Sequence, residues 1–141
     1  MTLERAIAIA VEAHTGQRDK AENPYILHPL RVMFAQNTIE AMIVGVLHDV
    51  VEDSDWTFGR LRAEGYNEEI LAALDRVTKR DGENYDDFIS RSSGHPISRA
   101  VKLADLMDNM DVTRLSIITG KDEARLAKYR AAHGRLESLG T

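Results

Sequence analysis

The chain has 141 residues, 43% of them hydrophobic, which is enough for one domain with a core of its own. A formal charge of −5 argues against a protein that coats nucleic acid, which would be basic, but leaves room for a locally cationic pocket that takes a small anion. With no cysteine, disulfides and thiolate metal sites are excluded, so any metal must be held by histidine and carboxylates.

Residues 3–13 place apolar side chains at helical spacing, and Gly16 follows as a stop signal. The polar stretch Gln17 to Pro24 reads as a loop. Pro29 suits the first turn of a second helix that runs to about Gln36. Residues 39–52 are the most apolar stretch, and their length favours a buried central helix, although the β-branched residues also permit a strand. Thr57 caps a short helix over 58–64, and Asn67 with Glu68 and Glu69 opens another over 68–78. Further helices are expected over about 84–91 and 97–110. Gly120 closes a loop, and 122–138 forms an amphipathic last helix. The expectation is a single all-α domain over 1–141, an irregular helical bundle. Leu126, Leu136 and Leu139 give the last helix an apolar face, for packing within a monomer or between the subunits of a homodimer. No run approaches 18 apolar residues, and Met1-Thr2-Leu3-Glu4 lacks a signal-peptide pattern, so the expected location is cytoplasmic, with no membrane partner.

The informative feature is His48-Asp49 inside the apolar run. Burying that pair is costly unless it is paired or bound to a metal. If the helix continues, Glu52 stacks over His48 and Asp53 over Asp49, crowding four ionisable groups at one helix end. Alone, this could be an acidic helix end with one hydrogen-bonded histidine. Two further residues shift the balance: Asp105 in the apolar VKLAD segment, and His28 just before Pro29. Two imidazoles and two carboxylates from three segments make a hard-to-borderline metal site with positions left for water.

The pattern His28, His48-Asp49, Asp105 resembles the HD-domain phosphohydrolases. The stretches AHTGQ (13–17), PYILHPL (24–30), LHDVVED (47–53), VTK (77–79) and KLADLMDNM (102–110) are similar to the hydrolase domain of RelA/SpoT-type alarmone enzymes and of small alarmone hydrolases. The resemblance implies an HD-type all-α fold, a Mn²⁺ cofactor or another divalent metal, and removal of the 3′-pyrophosphate from (p)ppGpp. It implies His28, His48, Asp49 and Asp105 as metal ligands and Glu52 with Asp53 as the catalytic pair. Asn109 and Tyr129 match substrate-contacting positions. Lys20, Lys79 and Lys102 are candidates to neutralise the anionic nucleotide, with solvated surface lysine as the competing reading for the last two. The expected partner is this small molecule, not a nucleic acid.

The loop departs from the family's GQ-x-RK-x-GEPYI. Lys20 keeps its place, but Asp19 stands where the family has Arg, and Glu22 stands where it has Gly. An Asp cannot stack on a base as a guanidinium does, and it repels phosphate. Arg18, one residue away, substitutes only if the loop shifts. Arg76 replaces a small residue. The metal chemistry therefore reads as intact. Specificity for another nucleotide or small phosphoester, and a non-catalytic nucleotide-binding module, are the competing readings. His14 is read as a structural hydrogen-bonding histidine, His95 and His133 as solvent-facing, Trp56 as a packing residue, and Asp108 and Asp111 as a solvated helix end, with Asp108 facing the pocket as the alternative.

Overall fold

A computed structural model describes residues 2–139; the ends of the expected 1–141 domain, Met1, Gly140 and Thr141, lie outside them. Among the described residues nine helices follow in order: α1 (Leu3–His14), α2 (Leu27–Phe34), α3 (Ile39–Leu47), α4 (Val50–Asp53), α5 (Phe58–Ala63), α6 (Glu68–Val77), α7 (Tyr85–Ser92), α8 (Pro96–Asn109) and α9 (Gly120–Leu139). No strand forms among them, apart from an isolated antiparallel bridge between Arg18 and Pro24. The protein is all-α.

Side-chain caps start many of these helices. Thr57 Oγ1 accepts the Arg60 amide at 3.1 Å, Asn67 Oδ1 the Ile70 amide at 2.9 Å, and Asn84 Oδ1 the Asp87 amide at 2.8 Å. Each satisfies an amide that has no partner within the first helical turn. His95 joins this group: its Nδ1 accepts from the Ile97 amide at 3.1 Å, so it caps α8 half-buried and is not simply solvent-facing. His133 is half-buried too, with Nδ1 2.8 Å from Glu137 Oε1.

Three boundaries differ from expectation. Helix α2 begins two residues before Pro29, whose missing amide is harmless because first-turn amides lack intrahelical partners anyway. Gly120 opens α9 instead of closing a loop. Thr119 and Asp122 bond reciprocally there, the Thr119 amide reaching Asp122 Oδ2 at 2.9 Å and the Asp122 amide reaching Thr119 Oγ1 at 3.3 Å. The third matters most: the apolar run is not one helix. Helix α3 stops at Leu47, and α4 starts at Val50. Asp49 sits at φ −104°, ψ −1°, between the helical and extended regions. The His48 ring donates from Nδ1 to the Gly45 carbonyl at 2.6 Å, taking an acceptor that a continuing helix would give to the Asp49 amide. The expected stacking of Glu52 over His48 along one helix is therefore replaced by a turn.

Helices α1, α2 and α8 pack around α3, and α6 closes the other side. Ile9, Val32, Val44, Val46, Leu47, Leu61, Leu74 and Val101 form the main core. Gly45 permits the α2–α3 contact: a Cβ there would lie 3.2 Å from Met33 Cα. A second cluster, Ile89, Leu106, Ala132 and Leu136, docks α9 onto α7 and α8. Trp56 is buried, as expected, beneath the Arg60 guanidinium 3.8 Å from its ring centroid.

Candidate metal centre

The turn between α3 and α4 lets His48 and Asp49 face His28 on α2 and Asp105 on α8. One donor atom each from His28, His48 and Asp49 lies within 4.8 Å of the others. Asp105 Oδ1 joins them, 2.9 Å from His28 Nε2 and 3.4 Å from His48 Nε2. Asp49 Oδ2 lies 3.1 Å from His48 Nε2 and 3.6 Å from His28 Nε2. All four expected ligands thus converge, although they come from positions up to 77 residues apart.

The donor set fits a divalent cation. His48 is buried and commits Nδ1 to Gly45, while its Nε2 has no hydrogen-bond partner. That nitrogen points between two carboxylates, an arrangement a cation satisfies.

A surrounding layer fixes the donors. The Tyr25 hydroxyl donates to Asp49 Oδ2 at 2.6 Å. Lys102 Nζ donates to Asp105 Oδ2 at 2.8 Å, and Asn109 Nδ2 to Asp105 Oδ1 at 3.0 Å. Lys102 is buried, with its ammonium 4.7 Å from the Phe88 ring centroid, so it is no surface lysine. Asp108 is likewise no solvated helix end: it accepts from His28 Nδ1 at 2.6 Å and from Arg31 Nε at 2.6 Å. Asp111 does serve the helix end, accepting the Thr113 amide at 3.0 Å.

Electrostatics follow from this crowding. Burial disfavours the charged form of Asp49, but the His48 charge outweighs it and holds Asp49 at about 2. Burial likewise opposes ionisation of Asp105, and Lys102 with His48 overrides it, keeping Asp105 well below the usual carboxylate range. Burial works against charge on His48, yet Asp49 and Asp105 raise it well above its ordinary value. The cluster is thus arranged to neutralise its carboxylates with positive charge, from imidazolium or from a metal.

Glu52 and Asp53 lie on α4 beside this centre. Glu52 Oε1 accepts the Lys79 amide at 2.5 Å, which ties α4 to the end of α6. Lys79 itself is exposed. Burial, with Asp49 and Glu52 adding to it, pushes Asp53 up to about 6. Gln17 Nε2 donates to the Asp53 carbonyl at 2.8 Å, and its Oε1 pairs with buried His14 Nδ1 at 2.8 Å, so His14 has the expected structural bond. Glu52 borders its own recess with Thr78, Lys79 and Arg80.

A cavity of about 420 Å³ opens from His28 and Tyr25, and its wall includes Arg18, Lys20, Asn109 and Tyr129, the four expected substrate contacts. Arg31, Arg114 and Arg125 also line it; no sequence motif singled them out. Asp19 borders the cavity but turns its carboxylate to the loop backbone, accepting the Ala21 and Asn23 amides at 2.9 Å each. Arg18 Nη1 donates to the Glu22 carbonyl at 3.0 Å. Glu22, in the family's glycine position, holds φ +66°, a left-handed conformation that costs a side chain about 1–2 kcal/mol. The Asp19 bonds stabilise that turn.

The fold is all-α, and within it the four expected ligand side chains meet. The chain resembles SpoT/RelA-type proteins over most of its length. It is 30% identical over 138 residues to a guanosine-3′,5′-bis(diphosphate) 3′-pyrophosphohydrolase of Aquifex aeolicus, covering 89% of this chain and 19% of that protein. It is 34% identical over 139 residues to a protein of the same name from Borreliella burgdorferi, covering 88% and 20%. A GTP pyrophosphokinase of Streptomyces coelicolor is 31% identical over 125 residues, covering 79% and 15%. The chain therefore spans a fifth or less of the length of these relatives. No family model matches the chain. The solved structure of a metazoan ortholog of SpoT, described as hydrolysing ppGpp, superposes with a TM-score of 0.78 at 21% identity, covering 97% of this chain and 84% of that one, and shows the same fold.

Proposed function

We propose that the protein is a Mn²⁺-dependent pyrophosphohydrolase that removes the 3′-pyrophosphate of (p)ppGpp. The observation that carries this reading is the convergence of His28, His48, Asp49 and Asp105 beside a cavity whose wall carries Arg18, Lys20, Arg31, Arg114 and Arg125 among aspartates. The names of the relatives support the choice of substrate. The reading treats residues 1–141 as one hydrolase domain in the cytoplasm, acting as a monomer or homodimer without nucleic acid. No helix among the described residues is long and apolar enough to cross a membrane.

His28, His48, Asp49 and Asp105 would hold the metal. A divalent cation held there would supply Lewis acidity toward a phosphoryl oxygen and toward water. Water attacks the phosphorus attached to the ribose 3′-oxygen, the bond to that oxygen breaks, and pyrophosphate leaves. Glu52 and Asp53 orient the water and take its proton, a contribution of roughly 10²–10⁴-fold, and a proton passes to the departing 3′-oxygen. Arg18 and Lys20 receive phosphate charge, and Asn109 and Tyr129 border the nucleoside. Asp19, with its carboxylate committed to the loop, leaves the base without the guanidinium partner of the alarmone enzymes.

The test is incubation with ppGpp and Mn²⁺, resolving the products. GDP and pyrophosphate in equal amounts, lost in Glu52→Gln and Asp53→Asn, are expected. No pyrophosphate from metal-loaded protein contradicts the proposal. Turnover of a different nucleotide, restored toward ppGpp by Asp19→Arg, would move the specificity and keep the chemistry.

A further inference from the structure

One turn of α8 grips both nitrogens of the same imidazole. Asp105 and Asp108 are three residues apart and share a helix face. Asp105 Oδ1 lies 2.9 Å from His28 Nε2, and Asp108 Oδ2 lies 2.6 Å from His28 Nδ1. The two histidines of the centre are oriented differently. His48 Nδ1 has a backbone carbonyl, Gly45 O, at 2.6 Å, whereas His28 Nδ1 has a side-chain carboxylate oxygen, Asp108 Oδ2, at 2.6 Å.

Asp108 has further partners. Arg31 Nε reaches Oδ1 at 2.6 Å and Arg31 Nη2 reaches Oδ2 at 3.0 Å, a forked contact. Arg114 Nη2 donates to the Asp108 carbonyl at 3.1 Å, and its Nη1 lies 3.7 Å from Oδ1. Both guanidiniums line the 420 Å³ cavity and remain partly exposed. The Asp108 side chain is itself only 11% exposed, so these contacts are shielded from solvent.

We propose that Asp108 is a positioning residue that joins the metal centre to the cationic cavity wall. It keeps the His28 proton on Nδ1, which turns the Nε2 lone pair toward the metal. With the same carboxylate it holds Arg31 where it meets an anionic group of the substrate, while its backbone carbonyl accepts from Arg114. Partners of this kind orient a ligating imidazole and raise its basicity, and their loss typically weakens metal binding or activity by roughly 10–100-fold. This inference rests on the metal reading of His28, His48, Asp49 and Asp105.

The experiment measures Mn²⁺ binding by titration calorimetry in the wild type, His48→Ala, Asp108→Asn, Asp108→Ala and Arg31→Met, with circular dichroism as the check on folding. Wild type should bind one Mn²⁺ and His48→Ala none; a wild type that binds no metal overturns the parent reading, not only this one. Asp108→Asn and Asp108→Ala should weaken Mn²⁺ by about tenfold or more. Arg31→Met should leave the Mn²⁺ Kd within about threefold and raise KM for the nucleotide, because it removes a wall cation and leaves the His28–Asp108 bond. If Asp108→Ala does not fold, the Asn variant carries the test. A wild-type-like Mn²⁺ Kd in the folded Asp108 variants overturns the proposal. So does an Arg31→Met variant that loses metal as severely as Asp108→Asn, which would place the effect in general electrostatics.

Discussion

The Tyr25 hydroxyl donates to Asp49 Oδ2 at 2.6 Å, holding the carboxylate of one expected ligand from the loop that precedes α2. Burial and the charge of Asp49 push the Tyr25 pKa far up, so the hydroxyl stays a donor. Tyr25→Phe keeps the ring and removes that bond. Metal binding should weaken by about tenfold or more, with helix content unchanged by circular dichroism. A metal affinity equal to wild type would remove Tyr25 from the account.

Gly45 sets how closely α2 approaches α3. A methyl group there presses on Met33 backbone atoms at 3.2 Å, while an alanine also gains about 1 kcal/mol of helix propensity. Gly45→Ala should therefore be nearly neutral. Gly45→Val, with two more carbons, should destabilise by about 1–3 kcal/mol. Urea unfolding of both variants checks the ordering.

Leu136 is fully buried against Ile89 and Leu106. Leu136→Ala should cost about 2–5 kcal/mol. Leu139, 51% exposed, should be replaceable by Ala with little change. Thermal unfolding of the two variants tests whether α9 is held within the subunit, where Leu136 packs. Equal losses would contradict the arrangement.

Arg91 forms a fork with Glu83, Nε to Oε2 and Nη2 to Oε1 at 2.8 Å each, and also donates to the Asp75 and Thr78 carbonyls. The hydrogen bonds from Arg91 lower the Glu83 pKa from 4.5 to about 2. A carboxylate held below its unfolded value stabilises the fold above that value and loses the contribution as pH falls toward the folded one. Wild type should be more stable than Glu83→Gln at pH 7, and the gap should close between about pH 4.5 and 2. A gap that is constant over this range would show that the fork has no charge component.

Much of the fold was legible because caps are local. Thr57, Asn67 and the residues around Asn84 start helices where the sequence places them. The break at His48-Asp49 was not legible, because an apolar, β-branched run gives no sign that the His48 ring will take the Gly45 carbonyl. The four expected ligands were legible from residue types and motif spacing, and they meet in space. A pocket-facing Asp108 was legible as an alternative, but its bond to His28 was not, because that partner is 80 residues away. Lys102 offered a signal: it stands three residues before Asp105, on the same helix face. The cationic wall was hidden because Arg31, Arg114 and Arg125 belong to three different segments and converge only when α9 docks.

The measurement that tests the central claim most directly is anomalous diffraction at the manganese edge from crystals soaked in Mn²⁺. The account predicts one strong peak bordered by His28 Nε2, His48 Nε2 and the carboxylates of Asp49 and Asp105. A soaked crystal with no peak there, or with its strong peak elsewhere, would contradict it.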